Sequence, residues 1–460
     1  MHPHLPPPRI ACGAEDGCGS TCGVTSGCVG PEHRSSQGFG APLGDARGMA
    51  AGADGDGNLY LLGQFTGSID FGGGLLTSAG GRDLFAVSFS SAGVHRWSKS
   101  FGDVSAEFLS AGNVSTDGTI TLFGSFEGSI NFGGTTLTSA GSFDVFLAKL
   151  GSAGDHYWSK RFGSVGVETA LRLVVGGENT TITASSISPA NYGGGLLTPN
   201  PVGLFMANYG PSSAHRWSKV FNCRAGIQAG GIAVDPAGNV AMAGYVMGDT
   251  DLGGGPVTGV GGRDVFLASY TLDGVHRWSK YFATLAHEAG SDVGVDSDGN
   301  VSMTGYFNLP LNFGGGQVAS SGGSDVFVAS FTAAGMHRWS QNFGGAGSDS
   351  SGQVLVDSTG NLLISGSFSQ SVNFGGGVFV AQTTSTSEHD MFLLGLTSDG
   401  IYRWSTFVRG DADELAPAFA LAPDGSIVLT GGFTAPLDFG GGVLTPVGAS
   451  DVYFVQLTPP

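Results

Sequence analysis

The sequence predicts an all-β chain closed into a seven-bladed β-propeller, four antiparallel strands to a blade, and three observations carry that prediction. First, 82 of 460 residues are glycine, while charged residues make up 12% and hydrophobic ones 41%. Glycine inside a helix costs about 1 kcal/mol relative to alanine, and disordered chains are polar and charge-rich. Helical bundles and disorder are therefore excluded, and the lack of a G-X-Y triplet excludes collagen. Second, all six tryptophans sit in one motif, His95-Arg96-Trp97-Ser98-Lys99 and its copies at Trp158, Trp217, Trp278, Trp339 and Trp404, spaced 61, 59, 61, 61 and 65 residues apart. Third, [D/N]-[F/Y/L]-G-G recurs seven times, at Asp70, Asn131, Asn191, Asp251, Asn312, Asn373 and Asp438. A period of this length marks a stacked or ring-closed repeat.

Each unit reads as four strands, clearest in the fifth copy. Residues 291–295 (SDVGV) alternate and run into the tight turn Asp296-Ser297-Asp298-Gly299-Asn300. Val301–Phe307 (VSMTGYF) is the second strand, followed by a loop through Asn312-Phe313-Gly314-Gly315-Gly316. Asp325–Phe331 (DVFVASF) is the third, with large residues at alternate positions, the period of a strand with one buried face. After Ala334-Gly335 the fourth is His337–Phe343 (HRWSQNF). Four strands in about 60 residues is one blade, and seven blades lie within the usual four to eight.

The repeat count is unbalanced in a way that points to closure. The second and third strands occur seven times and the tryptophan strand six. Upstream of the first unit, however, His33-Arg34-Ser35-Ser36-Gln37-Gly38-Phe39-Gly40 aligns with His95-Arg96-Trp97-Ser98-Lys99-Ser100-Phe101-Gly102. This segment is expected to pair with Asp451–Leu457 as the missing fourth strand of the last blade, hiding an edge that would otherwise invite aggregation. The chain thus divides into a Cys-rich segment, 1–32, and a propeller, 33–460.

Net charge is −18. Nucleic-acid binders need a basic footprint, and the same argument disfavours anionic lipid. No apolar run approaches the 18 residues of a transmembrane helix. Cys12, Cys18, Cys22 and Cys28 match no usual zinc spacing, so two local disulfides fit better than a metal site or incidental thiols, with the pairing open. Disulfides imply an oxidising compartment. Residues 1–10 show no apolar signal region, so the expected export rests on a leader missing from this sequence.

The run D-x-x-G-N, G-x-F, D-F-G-G-G-x-L-T-S-x-G-G-x-D-x-F, W-S-K-x-F-G, clearest over residues 54–101 and 296–343, resembles the bacterial β-propeller repeats of the SBBP type. The resemblance covers about residues 33–457. It implies a propeller in an exported or surface setting and no particular reaction, since that family shares no catalytic motif.

Asp54-Gly55-Asp56-Gly57-Asn58 and Asp296-Ser297-Asp298-Gly299-Asn300 look like D-x-D-x-N calcium loops. Other copies read Asp235-Pro236-Ala237-Gly238-Asn239 and Asp357-Ser358-Thr359-Gly360-Asn361, so a hairpin turn needing Gly-Asn is preferred to calcium. His33, His95, His156, His215, His276 and His337 belong to different blades and cannot converge on one ion with bonds of about 2 Å; they read as packing or surface residues. Arg96, Lys99, Lys160, Arg161, Arg216, Lys219, Arg277, Lys280, Arg338 and Arg403 place ten of the 19 basic residues on the tryptophan strands. Edge protection explains them, ahead of a docking surface for an anionic polymer. The D-x-[F/Y] aspartates, Asp83, Asp144, Asp264, Asp325, Asp390 and Asp451, are expected to accept backbone donors in the preceding loop, with a channel-facing acidic ring as the alternative; Gly203 replaces the third copy's aspartate.

The features that break the repeat are the prolines Pro189, Pro199 and Pro201 of copy three, Asn222-Cys223-Arg224 of copy four and an insertion within 382–389. A unique site should be sought there. No catalytic residue, cofactor or metal is assigned: there is no G-x-S-x-G elbow, and equivalent acids lack the asymmetry of an acid–base pair. The functional expectation is an exported or surface-associated, monomeric binding scaffold for polysaccharide or protein. A lyase or glycosidase with a site in the channel mouth and a purely structural surface protein are the alternatives.

Overall fold

The computed structural model describes residues 30–40, 44–381, 389–408 and 417–459. Cys12, Cys18, Cys22 and Cys28 and most of the copy-six insertion fall outside them. The chain forms seven blades of four antiparallel strands. Blades 1 to 7 begin with Ala46–Ala53, Glu107–Val114, Glu168–Gly176, Gly226–Val234, Ala289–Val295, Asp349–Val356 and Ala418–Leu421. These first strands lie side by side around the ring, blade 7 meeting blade 1, and so line the channel. In blade 5 the remaining strands are Val301–Phe307, Asp325–Phe331 and His337–Phe343, as read from the sequence, and the first begins two residues earlier than expected.

The ring closes as the repeat count requires. His33–Phe39 pairs antiparallel with Asp451–Leu457, with Ser36 opposite Val455 and Phe39 opposite Val452. Glu32 N–H donates to Thr458 Oγ1 at 2.8 Å, and Thr458 N–H to the Glu32 carbonyl at 2.8 Å.

Apolar side chains from facing blades fill the space between them. Ala241, Val265, Leu267 and Phe282 of blade 4 pack with Val293, Met303, Phe327 and Phe331 of blade 5, and equivalent sets occupy the other junctions. The second and third strands are buried along nearly their whole length because a blade faces them on each side.

The glycine triplet has a separate cause at each position. Asp70 Oδ1 accepts the N–H of Gly72 at 2.7 Å and of Gly74 at 3.0 Å. Both glycines have positive φ, 101° and 107°, which side chains resist. A Cβ on Gly73 would stand 2.0 Å from His95 Cε1. The repeat histidines thus lie flat on the triplets of their own blades; His33 covers Gly441 in blade 7, and Tyr402 takes the role over Gly376 in blade 6. The triplet is also the tip of a small ribbon, Ser68–Asp70 paired with Leu75–Thr77, where the sequence suggested only a loop.

The tryptophan strand is outermost and reaches across to the next blade. Trp97 Nε1 donates to the Ser152 carbonyl at 2.9 Å, Trp217 to Leu272 at 2.7 Å, Trp278 to Ala333 at 3.0 Å and Trp339 to Ser398 at 2.9 Å. Each indole covers a turn glycine of that neighbour, Gly154, Gly274, Gly335 or Gly400. Five of the six tryptophans are half-buried and only Trp404 is fully enclosed. Lys99 Nζ and Lys160 Nζ bond carbonyls of such turns in the following blade, those of Gly154 and Ser213. Arg216 and Arg338 reach Asp273 and Asp399. These cations bind neighbouring blades together rather than only guarding an edge.

Candidate functional site at the mouth of blades 4 and 5

Most of the motifs turn out to build the ring. Asp54 Oδ1 accepts the N–H of Asp56 and Asn58, and its Oδ2 accepts Asn58 Nδ2 and the Tyr60 hydroxyl. Asp296 repeats the arrangement with Asp298 and Asn300. In both, the carboxylate that would lead a calcium loop organises a hairpin turn. The D-x-[F/Y] aspartates accept the N–H four residues upstream, from Ala79, Ala140, Val260, Ser321 and Val447, at 2.7–3.1 Å. They are buried between blades, not arrayed around the channel. The histidines stand apart, one per blade; burial lowers the basicity of His215, His276 and His337.

Of the irregular segments, copy three and copy four meet at one edge. Gly203 pairs with Asn222, whose Oδ1 accepts Asn200 N–H at 3.0 Å. Cys223 is a buried free thiol directed at the Met247 carbonyl. Lys219, Asn222 and Asp251 border a shallow cavity of about 400 Å³. Here Cys223 pairs with Thr250, whose hydroxyl donates to the Asn222 carbonyl, joining blade 3 to the ribbon of blade 4.

Dissimilar polar side chains gather elsewhere, at the opening where the innermost strands begin. Tyr245 lies near the end of the second strand of blade 4, Val240–Met247, opposite Gln228 on the first strand, and its hydroxyl donates to Gln228 Oε1 at 2.7 Å. Arg263, just before the third strand, lays its guanidinium over the Tyr245 ring, 4.5 Å from the centroid. Its Nη1 donates to the Tyr306 hydroxyl of blade 5 at 3.1 Å, and that bond raises the already high pKa of the guanidinium. His287 Nδ1 accepts Arg263 N–H at 3.3 Å. All four of Gln228, Tyr245, Arg263 and Tyr306 are partly exposed. The other five blades carry Gln64, Ser125, Ser185, Ser367 and Gly432 where blades 4 and 5 carry tyrosine. Comparing the repeats at that one column would have exposed the pair.

Just inside the channel lie Arg172, on the first strand of blade 3, and Asp292, on the first strand of blade 5. Arg172 Nε donates to the Gly230 carbonyl, and Asp292 Oδ2 accepts Val354 N–H at 2.9 Å. Burial pushes the Asp292 carboxyl up to about 6 despite the nearby Arg172 charge, and it depresses the guanidinium. This acid spans blades 5 and 6 and is held by the scaffold. No group of three or more metal-ligating side chains occurs among the described residues, and no helix is long and apolar enough to cross a membrane.

No family model matches the chain. It is 21% identical over 385 residues to an uncharacterized WD repeat-containing protein of Acanthamoeba polyphaga mimivirus, covering 65% of this chain and 27% of the relative. The chain therefore spans about a quarter of that relative's length. Similar solved structures include a protein of unknown function from Dyadobacter fermentans (10% identity, TM-score 0.39, 94% of this chain and all of that one). Another is an apocarotenoid oxygenase/RPE65 chimera (12% identity, TM-score 0.40, 93% and 94%). Fold, repeat count and this distant WD-repeat similarity place the chain among propeller repeat proteins in general.

Proposed function

We propose that the chain is a non-enzymatic binding scaffold, exported or surface-associated, that engages a polysaccharide or protein at the mouth of blades 4 and 5. The observation that supports this reading is the unrepeated Gln228–Tyr245–Arg263–Tyr306 cluster. Tyrosine and arginine dominate binding hot spots because they offer large contact areas with a polar end. Here two phenol rings, a guanidinium and a carboxamide converge on a partly exposed patch. The hydrogen bonds among them hold the side chains in place before a ligand arrives, which reduces the ordering cost of binding. The repeat resemblance to SBBP-type propellers favours the exported setting. A channel enzyme is favoured less, because the buried channel acid Asp292 is fixed by the Val354 amide and feels the Arg172 charge rather than a second carboxyl.

The test is affinity electrophoresis and calorimetry against dextran, cellulose, alginate and pectin, comparing the native chain with Tyr245→Ala and Tyr306→Ala. A retained polysaccharide should be bound at least ~10-fold more weakly by each variant, since hot-spot truncation costs about 2 kcal/mol or more. Melting temperatures should stay close to native. Retention that both substitutions leave unchanged would remove the mouth from consideration.

A further inference from the structure

Between blades, beneath the face that carries the mouth, lies a second repeated feature. The aspartate opening the third strand of one blade meets the acidic residue opening the first strand of the next: Asp83 with Glu107, Asp144 with Glu168, Asp264 with Glu288, Asp325 with Asp349. All eight are buried, and the chain treats the pairs differently. At junction 2/3, Arg161 Nη1 bonds Asp144 Oδ2, while Ser164 and Ser186 donate to Glu168. At junction 3/4 the equivalent positions are Gly203 and Ile227, and Asn222 replaces the intervening glycine. Its neutral amide accepts the loop N–H that an aspartate accepts elsewhere. The fold therefore does not need carboxylates here.

Junction 1/2 keeps both acids and supplies no counter-charge. Glu107 is 0% exposed and neither of its carboxylate oxygens has a hydrogen-bond partner; Asp83 Oδ1 is likewise unpartnered. These groups converge: Glu107 Oε2 lies 2.4 Å and Asp83 Oδ1 2.7 Å from the point where a Cβ on Gly102 would stand. The position of Arg161 is taken by Ser100. Burial, with the charges of Asp83 and Asp103, pushes the Glu107 carboxyl up to about 8. Two unpaired buried carboxylates are costly unless something compensates their charge.

We infer that the Asp83–Glu107 pair is a binding site for one divalent cation, calcium by its chemistry, which does at junction 1/2 what Arg161 does at junction 2/3. Two carboxylates match a dication in charge and offer three hard oxygen atoms without a hydrogen-bond partner, the fourth, Asp83 Oδ2, accepting the Ala79 N–H. Calcium tolerates irregular oxygen shells, whereas magnesium demands a near-ideal octahedron and keeps its waters. Such a cation ties blade 1 to blade 2. The site does not depend on the ligand proposed for the mouth.

The experiment uses the full chain. Protein stripped with EDTA is titrated with calcium chloride, followed by differential scanning fluorimetry and by equilibrium dialysis with radioactive calcium. The expected result is a saturable rise in melting temperature with calcium bound. Glu107→Gln and Ser100→Arg should each lower the bound calcium by one ion per chain. Ser100→Arg, which places an arginine where blade 2 has one, should also make the stripped protein more stable than the native stripped protein. Should Glu107→Gln fail to fold, Asp83→Asn and Ser100→Arg carry the same stoichiometry test. No calcium bound, or an unchanged stoichiometry in the folded variants, overturns the site. A stability that depends on pH but not on calcium would instead assign a shared proton to the pair.

Discussion

Trp278→Ala tests whether the outer tryptophans hold blades together. The indole of Trp278 is half-buried at the junction of blades 4 and 5, covers Gly335 and donates its N–H to the Ala333 carbonyl at 3.0 Å. An aromatic side chain buries about 150–250 Å² when enclosed, so half-burial removes roughly 100 Å² from water. At about 25 cal/mol per Å² this is ~2.5 kcal/mol, and the hydrogen bond adds about 1 kcal/mol. The expected loss is therefore about 3.5 kcal/mol, within the 3–5 kcal/mol typical of truncating an aromatic in a core. Urea unfolding followed by far-UV circular dichroism measures it without relying on tryptophan emission. Trp278→Phe keeps most of the apolar contact and should lose about 1 kcal/mol, the hydrogen-bond share. Val275→Thr, at a position 61% exposed on the same hairpin, should stay within about 0.5 kcal/mol of native. A loss below about 1 kcal/mol for Trp278→Ala would refute the inter-blade role and return the outer strands to consideration as repeated binding sites.

Three further outcomes are expected. Deleting residues 1–40 strips Asp451–Leu457 of its partner strand; the truncated chain should melt lower or oligomerise on size-exclusion chromatography, and a monomer of native stability contradicts the closure. Gly315→Ala places a Cβ 2.3 Å from His337 Cε1 and should destabilise by about 1–3 kcal/mol, with the loss smaller when combined with His337→Ala in a double-mutant cycle. With divalent cations chelated, stability should fall as pH rises from about 4 to about 8. Across that range the unfolded chain ionises Glu107 and Asp349, while burial holds them protonated in the folded state up to about 8 and about 7. The slope is at most about 1.4 kcal/mol per pH unit for each group. Glu107→Gln should flatten the upper part of this fall in a pH series of melting temperatures.

The architecture was legible because the repeat writes it seven times. The last three strands of blade 5, the borrowed strand at residues 33–39 and the turn role of Asp54 and Asp296 all followed from period and turn chemistry. Averaging over copies hid other things. The ribbon strands are two or three residues long and carry no pattern of their own. The acid pairs were invisible because Asp83 and Glu107 lie 24 positions apart in different units, and only the ring brings them together. Nor did the period show that most tryptophans reach over a neighbour's turn and keep a partly exposed edge, since an outermost strand has a blade on one side alone. Attention to the irregular third and fourth copies found a blade joint. The mouth cluster uses ordinary strand positions in which two consecutive copies happen to carry tyrosine.

The pairing of residues 33–39 with 451–457 also governs how the molecule comes apart and together. Most strand contacts in a blade are local hairpins, whereas Glu32 and Thr458 are 426 positions apart. Closing a flexible loop of that length carries an entropic penalty of roughly (3/2)RT ln n, about 5 kcal/mol. That penalty falls away if the intervening blades are already stacked, because they then set the span. Assembly is thus expected to proceed as a growing arc whose last event is the seating of this clasp. The reverse path begins there: release of seven residues opens the ring at one seam while the other blades keep their neighbours. Amide exchange should accordingly be faster along residues 33–39 than along the outer strand of blade 4, His276–Phe282, which its own hairpin secures.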